Sequence, residues 1–366
     1  MKRFIIILTA ISLLMIPVLA GCGNQTDSER NTPDPAGNPS ATAEPAGTTN
    51  TTDDVIPPPL QSSKNLSIVC TVFPIYDWVR NIIGENADNI ELILLLDKGV
   101  DMHNYAPSFE DIVKVSGCDL FIYIGGESDE WVEDIAAANP NRVMLNLLEE
   151  LGDAAKLEEI IEGMEHDHDH DNDNDHDNDH DNDHDDEYRY DEHYFTSLKM
   201  AELCSIIIAD VLKELDSEVA DKYADNLSSY LSQLRELDAR YEKMTAEAPT
   251  NTILVADRFP FRYLADDYNL NYYAAFSGCS AANEASFETI VFLAEKLGEV
   301  GLQFVLVTEN SDKSIANAVI NATKDKDQAI LVLVSFHGVT AAEVAAGYTF
   351  LGAMEENLEV LREALS

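Results

Sequence analysis

The stretch VADKYADNLSSYLSQLRELDARYEKM, residues 219–244, organises the whole chain. Its apolar residues recur at steps of three and four, the spacing that puts side chains on one face of an α-helix. The pattern extends over roughly 30 residues, which makes about 45 Å of helix at about 1.5 Å per residue. That length exceeds one face of a small domain, so we interpret residues 217–247 as a rigid helix that links two lobes. The apolar positions are Val219, Tyr223, Leu227, Tyr230, Leu231, Leu234, Leu237, Tyr241 and Met244.

On the amino-terminal side of this helix, short apolar runs alternate with amphipathic segments. Alternation of strands with helices indicates a parallel, doubly wound sheet. We assign residues 65–216 to this amino-terminal α/β lobe. The predicted strands are 66–72, 90–96, 119–124 and 142–147, and the predicted helices are 77–83, 130–138 and one that begins at Ser108.

The same alternation restarts after Pro249, in a carboxy-terminal lobe of residues 248–366. The predicted fold class is therefore α/β, with two doubly wound α/β lobes joined by one long rigid helix. Ligands of open parallel sheets bind beyond the carboxyl ends of the strands, so we expect the site in the cleft between the lobes. The predicted strands here are 252–256, 303–308 and 329–334, and the predicted helices are 261–267, 286–297, 311–322 and 341–365.

The amino terminus has the order of a secretory signal. Lys2 and Arg3 precede an apolar run that ends in Leu-Ala-Gly-Cys22, and we assign residues 1–21 to a signal peptide. The ending resembles a bacterial lipobox, which implies cleavage before Cys22 and lipidation of its sulfur; an ordinary signal with an incidental cysteine is the alternative. Residues 22–64 have too few large apolar side chains to fold, which predicts a flexible tether. We therefore expect an extracytoplasmic protein that is lipid-anchored to the bacterial cell membrane.

A loop at residues 165–187 is rich in histidine, aspartate and asparagine. Imidazole favours zinc, copper and nickel, and carboxylates attract any cation. Mutual repulsion of the carboxylates argues for a mobile, weak metal collector or sensor rather than the principal site; a purely solvating acidic linker is the alternative. The auxiliary histidines are His166, His168, His170, His176, His180 and His184.

The formal net charge of −45 excludes some partners. Nucleic acid and anionic lipid surfaces would repel the chain, whereas a cation would not. Cysteines other than Cys22 lie in apolar or strand-like surroundings, where either disulfides or buried free thiols fit, and the sequence does not determine any pairing. These are Cys70, Cys118, Cys204 and Cys279.

Only three histidines lie outside the acidic loop. His103 follows the second predicted strand, and His193 lies just beyond the acidic loop in YDEHYF, residues 190–195. Either one alone would more often be a surface or hydrogen-bonded histidine than a ligand. Two isolated histidines at comparable loop positions near a histidine-rich segment make a metal site the better hypothesis. His337 is the third.

Several segments along the chain carry a family resemblance. They are VFPIYD at 72–77, LLLDKGVDMHNYAP at 94–107, DLFIYIGG at 119–126, DEH at 191–193, RFPFRYL at 258–264 and YTFLGAMEENL at 348–358. Together they resemble the zinc and manganese solute-binding proteins of bacterial ABC importers, in the order of that family and over essentially all of residues 65–366. The resemblance implies a monomeric carrier, not an enzyme, with an ABC permease and its ATPase as partners. It also implies two lobes bridged by a long helix, with the metal between them.

The resemblance also suggests ligands one by one. The first two family histidines match His103 and His193. The third position falls on Asp257, which follows Val255-Ala256; a cap of the next helix is the alternative role for this residue. The family's fourth ligand, an acid near the last strand, has no acidic counterpart here, and His337 is the nearest substitute. Glu309 and Glu127 are weaker candidates.

Two imidazoles and a carboxylate form a nitrogen/oxygen set that zinc accepts, whereas manganese prefers more oxygen, so Zn²⁺ is the expected metal and Mn²⁺ the alternative. Because metal binding needs neutral imidazoles, we expect affinity to fall as pH drops through about 6.5. A zinc metallohydrolase and a metal buffer or cell-adhesion protein are the other function classes. The chain has no HExxH helix, nucleophile elbow or P-loop, which disfavours the hydrolase.

Overall fold

A computed structural model describes residues 66–84, 89–165, 189–280 and 284–366. The predicted signal peptide, the tether, Cys22 and the six auxiliary histidines from His166 to His184 lie outside the described residues. The described residues all belong to one unit, Gln61–Ser366. No helix in these ranges is both long enough and apolar enough to be a membrane-spanning segment.

The amino-terminal lobe contains a parallel four-stranded sheet in the order β2-β1-β3-β4. The buried positions of the first strand are all apolar. Helices cover the faces of the sheet, because a parallel sheet is buried on both faces. Its strands are β1 (Leu66–Cys70), β2 (Ile90–Leu94), β3 (Leu120–Tyr123) and β4 (Val143–Asn146); its helices are α1 (Phe73–Ile83), α2 (Phe109–Gly117), α3 (Trp131–Ala138), α4 (Leu147–Leu151) and α5 (Leu198–Leu215).

The long helix predicted from the sequence is α6 (Ala220–Glu247), which has 28 residues. A short 3-10 turn, Ser217–Val219, precedes it. Its buried side chains follow the predicted steps of three and four, because the apolar stripe packs against both α5 and α1. The prediction of two parallel-sheet lobes and a long connecting helix is confirmed.

The carboxy-terminal lobe repeats the sheet topology of the first, in the order β6-β5-β7-β8. In both sheets the first strand lies inside and the second lies at an edge, so equivalent loops leave the carboxyl ends of equivalent strands. The strands are β5 (Thr252–Phe259), β6 (Asn271–Ser277), β7 (Phe304–Thr308) and β8 (Ala329–Leu333); the helices are α7 (Arg262–Asp267), α8 (Phe287–Val300), α9 (Ser314–Ala322), α10 (Ala341–Ala345) and α11 (Phe350–Ala364).

Three elements differ from the sequence-based expectation. The edge strand β6 and the short helix α4 were not predicted, and the expected final helix over 341–365 is two helices. The break has a local cause, since Gly347 has a φ of 93° and Thr349 caps α11 by accepting from Gly352 N at 3.0 Å. The sequence NYYAAFS of β6 contains three aromatic residues that favour strands, but its Tyr-Tyr and Ala-Ala pairs break the alternation of apolar and polar residues, which explains why its pattern is weak.

The carboxy-terminal helix returns to the amino-terminal lobe. Phe350 packs edge-to-face on Trp78 of α1 with ring centroids 5.5 Å apart, and its N–H donates to Asp77 Oδ2 at 2.9 Å. Tyr241 of α6 donates to the Met354 carbonyl at 2.6 Å. Beside the cleft, Ala341 N donates to the Asp97 carbonyl at 2.7 Å. These contacts hold the loops at the carboxyl ends of the two sheets close together.

Candidate metal centre

Three histidines from different parts of the chain meet between the lobes. One ring nitrogen from each of His103, His193 and His337 lies within 4.8 Å of the other two. Nε2 of His103 is 3.0 Å from Nε2 of His193. The His337 ring centroid lies 5.5 Å and 5.0 Å from those of His103 and His193. The structure thus brings together three of the four residues that the sequence suggested as ligands.

His103 is held by its own loop and by a neighbouring hydroxyl. It lies in a 3-10 turn, Met102–Asn104, whose cap is Asp101, and the Asp101 carboxylate accepts from His103 N at 3.0 Å. The Ser128 hydroxyl lies 2.9 Å from His103 Nδ1 and donates to the buried carboxylate of Glu192. Because an ionised carboxylate only accepts, Ser128 must accept the Nδ1–H of the ring. The lone pair of His103 then sits on Nε2 and faces the other histidines.

His193 is fully buried and is oriented by Asp191. One carboxylate oxygen, Oδ1, accepts from both His193 N at 2.8 Å and His193 Nδ1 at 3.0 Å. This places the ring proton on Nδ1 and leaves the Nε2 lone pair free. A Cβ at Gly278 would lie 2.9 Å from that Nδ1, so the absence of a side chain there makes room for the ring.

His337 follows β8 in a loop held by Glu309. The Glu309 carboxylate accepts from His337 N at 3.0 Å and from Ser335 N at 2.7 Å. The residue between them, Phe336, has a φ of 67°, a strained conformation that this loop supports. Nδ1 of His337 lies 3.9 Å from Asp101 Oδ2, and its buried Nε2 has no hydrogen-bond partner among the described residues. A buried polar atom without a partner is costly, which points to a missing ligand.

This geometry fits a cation. Two Nε2 atoms that both carry lone pairs repel each other at 3.0 Å unless a positive ion lies between them. Tetrahedral zinc with Zn–N bonds of about 2.0–2.1 Å separates its nitrogen ligands by about 3.3 Å, close to the spacing found here. A carboxylate lies on the Nδ1 side of each ring, directly or through Ser128, an arrangement that raises ligand basicity in metal sites.

The electrostatics keep the rings of His103 and His337 neutral. Burial, and after it the neighbouring His193, lower the pKa of His103 to about 3. Burial and the other two imidazoles also lower the pKa of His337 well below its ordinary value. Burial alone would raise the pKa of Asp101, but His337 and the ion-paired Arg258 lower it to about 2. Neutral imidazoles beside an ionised carboxylate are the protonation states that metal binding requires.

The fourth suggested ligand, Asp257, does not belong to the histidine group. It lies at an irregularity in β5, and its Oδ2 accepts from Thr308 N at 3.2 Å and Thr308 Oγ1 at 2.7 Å. Its Oδ1 accepts from Arg258 N at 2.9 Å. The carboxylate therefore ties β5 to β7, and neither potential metal group among the described residues contains it. It also does not act as the helix cap that was the alternative.

The weaker candidates have other contacts. Glu309 supports the backbone of the His337 loop, and Glu127 pairs with Arg189 at 2.9 Å on the surface. The contacts that Asp101, Ser128 and Glu192 make with the His103 loop were not apparent from the sequence. Only the short spacing from Asp101 to His103 and from Asp191 to His193 carried a signal, since an Asp two residues earlier can reach the backbone N–H.

A second group of possible ligands shares His103 with the first. One ligand atom each from His103, Glu192 and Cys279 lies within 4.8 Å of the others. The four cysteines Cys70, Cys118, Cys204 and Cys279 are free thiols, so the question of disulfides among these described residues is answered. Burial, and then the carboxylate of Glu158, raise the pKa of the Cys279 thiol.

The fold and this histidine cluster define the class: a two-lobed α/β protein with a candidate metal site at the lobe interface. The family model described as "Zinc-uptake complex component A periplasmic" matches residues 68–364, and the chain belongs to this family.

The sequence relatives have names that concern zinc. The chain is 26% identical over 298 residues to the zinc-binding protein AdcA of Streptococcus pyogenes, an alignment that covers 81% of this chain and 55% of that protein. It thus spans about half the length of this curated relative. It is also 26% identical over 303 residues to the high-affinity zinc uptake system protein ZnuA of Bacillus subtilis, covering 82% of this chain and 88% of that one.

Solved structures share the fold. The crystal structure of Zn(II)-bound AdcA from Streptococcus pneumoniae superposes with a TM-score of 0.63 at 23% identity, over 82% of this chain and 58% of that one. A crystal structure of ZnuA gives a TM-score of 0.63 at 19% identity, over 82% of this chain and 99% of that one.

Proposed function

We propose that this chain captures Zn²⁺ outside the cytoplasm and delivers it to an ABC-type permease for import. The observation that carries the proposal is the convergence of His103, His193 and His337 in one cluster, in which His193 and His337 are buried and His103 is half-buried. The unpartnered Nε2 of His337 and the close Nε2 pair of the other two are the features that a bound cation explains.

The ligand chemistry favours zinc over manganese. Three imidazole nitrogens form a set that suits zinc, whereas manganese prefers carboxylate, carbonyl and water oxygens. The acids near the site face the Nδ1 sides of the rings, where they orient ligands instead of binding metal. A manganese carrier of the same family is the alternative, and it would require carboxylate oxygens to replace nitrogen in the ligand set.

The proposed role is transport without catalysis. Membership in the family, and the relatives named as zinc-binding and zinc-uptake proteins, support a carrier. The complete burial of His193 leaves little room for a substrate beside the metal, as a hydrolase would need. We further propose that the chain is a monomer anchored through lipidated Cys22, with a permease and its ATPase as partners.

The test is a zinc titration of the purified protein by competition with a chelator. His193→Ala and His337→Ala should each weaken the tight site by about 10²-fold or more, since each removes one nitrogen ligand of the proposed set. Manganese should bind more weakly than zinc to the unaltered protein.

Asp257→Ala is the matched control. It removes a carboxylate that the sequence suggested as a ligand but that the structure places on Thr308, so zinc affinity should change by less than about tenfold while stability falls by about 1–3 kcal/mol. A loss of tight binding in Asp257→Ala with retention in His337→Ala would refute the three-histidine site. Turnover of an ester or peptide that a chelator abolishes would instead support the hydrolase.

A further inference from the structure

Cys279 stands out because it is a half-buried thiol next to the histidine cluster that the proposed zinc site does not use. It lies in the segment after β6, and its N–H donates to Glu158 Oε1 at 3.0 Å. The preceding residue, Gly278, packs against the ring of His193. The backbone therefore positions this thiol at the edge of the metal centre.

The thiol shares a ligand with the three-histidine set. Its sulfur, one oxygen of Glu192 and one ring nitrogen of His103 are mutually within 4.8 Å. Glu192 lies on the Nδ1 side of the His103 ring, with its Oε2 3.8 Å from Nδ1. His193 lies on the opposite side, 3.0 Å from Nε2. Glu192 and His193 therefore face different nitrogens of one imidazole.

We propose that His103, Glu192 and Cys279 form a second metal-binding set that selects soft ions such as Cd²⁺ and Cu⁺, and that excludes zinc from the three-histidine set while it is occupied. Thiolate is the softest ligand that a protein offers, and a set with one thiolate, one imidazole and one carboxylate binds soft ions in preference to the harder ones. The proposal rests on His103 as a ligand, which it shares with the proposed function.

The exclusion follows from the protons of His103. A neutral imidazole carries one proton, so only one of its ring nitrogens has a lone pair for a metal. When the proton is on Nδ1, Nε2 can bind a metal together with His193 and His337. When the proton is on Nε2, Nδ1 can bind a metal together with Glu192 and Cys279. When the ion binds, the S–H bond breaks, the metal–sulfur bond forms and the thiol proton leaves to solvent. The Ser128 hydroxyl must then rotate away from Nδ1.

The experiment is a cadmium titration followed by near-ultraviolet sulfur-to-cadmium charge-transfer absorption, which histidine and carboxylate ligands do not produce. All variants carry Cys22→Ser in the full chain, so that this cysteine does not contribute. The charge-transfer band should appear in that parent protein, disappear in Cys279→Ser and persist in Cys204→Ser, the control for a buried thiol outside the site. Added zinc should suppress the band, because both sets need His103.

Two further variants separate this proposal from the proposed function. His337→Ala should lose tight zinc binding yet keep the cadmium band, because His337 belongs only to the three-histidine set. Glu192→Gln should lower the apparent cadmium affinity, measured from the charge-transfer band, at least tenfold. A band that survives Cys279→Ser, the absence of a band in His337→Ala, or a band that saturating zinc leaves unchanged would each overturn the proposal. Zinc titration of His193→Ala and His337→Ala would still test whether the chain is a zinc carrier.

Discussion

At the scale of single residues, the candidate site depends on the groups behind the imidazoles as much as on the imidazoles. Ser128 and Asp191 accept the Nδ1 protons of His103 and His193, and this fixes which nitrogen carries the lone pair. Asp101 contributes twice, because it caps the turn of His103 and faces His337 at 3.9 Å. These contacts hold the three imidazoles in fixed orientations, as the candidate ligands of a metal would need.

We expect Ser128→Ala to weaken zinc binding by about 10–100-fold, because the His103 ring loses the acceptor that orients its proton. The measurement is chelator competition at neutral pH. Ser205→Ala is the matched control, since Ser205 is buried and its hydroxyl has no partner among the described residues. Ser128→Thr keeps the hydroxyl and should restore most of the affinity. Equal affinities for Ser128→Ala and the unaltered protein would show that the hydroxyl has no positioning role.

The lowered pKa values of two histidines shift the expected acid sensitivity of binding. Two histidines with ordinary pKa values of about 6.5 would weaken apparent zinc affinity by about 10³-fold at pH 5. In the folded protein the pKa of His103 is about 3 and that of His337 is also lowered, so both stay neutral there. We therefore expect much less than that loss between pH 7 and pH 5. A full 10³-fold loss, measured by titration at several pH values, would contradict this.

The lowered pKa values of His103 and His337 also make the metal-free fold sensitive to acid. A depressed pKa in the folded state means that the unfolded chain binds more protons below its own pKa of about 6.5. Above that pH both states hold the two histidines neutral, and stability is not reduced. Below it, the free energy of unfolding falls by up to about 1.4 kcal/mol per pH unit for each histidine, until the pH reaches the folded-state pKa. Urea unfolding from pH 7 to pH 5 should show a steeper decline for the unaltered protein than for His337→Gln. Parallel declines would argue against a neutral, buried His337.

At the scale of elements, the long helix α6 determines how the rest of the chain is arranged. It buries one apolar stripe against α1, α5 and α11, and Tyr241 on this stripe bonds to α11. The bulged strand β5 is the second decisive element, because its Asp257 is tied to β7 while Arg258 crosses to Asp101 in the other lobe.

Truncation of the α6 stripe should cost stability. We expect Leu234→Ala to lower the free energy of unfolding by about 2–5 kcal/mol, since the side chain is 1% exposed and its removal leaves a cavity. Ser232→Ala, on the exposed face of the same helix, should change it by less than about 0.5 kcal/mol. Urea unfolding at pH 7 measures both. Similar costs for the two variants would mean that the stripe does not carry the packing.

At the scale of the whole molecule, the lobes meet around the site from both sides. His103 and His193 come from loops of the amino-terminal lobe, His193 from near the end of that lobe. His337 comes from the loop after β8 in the carboxy-terminal lobe. The Asp101–Arg258 ion pair and the backbone bond from Ala341 to Asp97 join the lobes beside it. The candidate metal centre is thus a property of the assembled lobes.

The histidine-rich loop is predicted to be a collector separate from this centre. Replacing residues 166–186 with a Gly/Ser segment of equal length should leave one tight zinc site and remove the weaker ones. Glu165 is retained because its side-chain carboxylate accepts from Ser286 N. Titration calorimetry checks the number and affinity of sites. Loss of the tight site in the replaced protein would show that the loop provides its principal ligands.

Much of this protein was predictable from its sequence. The apolar spacing of residues 219–244 predicted α6, and the strand–helix alternation predicted two α/β lobes, because these patterns depend on local periodicity. His103, His193 and His337 were recognisable as candidates because histidine is rare outside the acidic loop. The edge strand β6 was not predicted, because its residues do not alternate between apolar and polar.

The tertiary structure decided what the candidates do. The sequence favoured Asp257 as a ligand over His337, but strand pairing turns the Asp257 carboxylate to Thr308, whereas the loop held by Glu309 turns His337 toward His103. Ser128, Glu192 and Cys279 lie beside the candidate site only because segments distant in sequence pack together. Local periodicity reports which residues face a core, but the direction of a side chain in a cleft depends on packing between distant segments, which no local pattern contains.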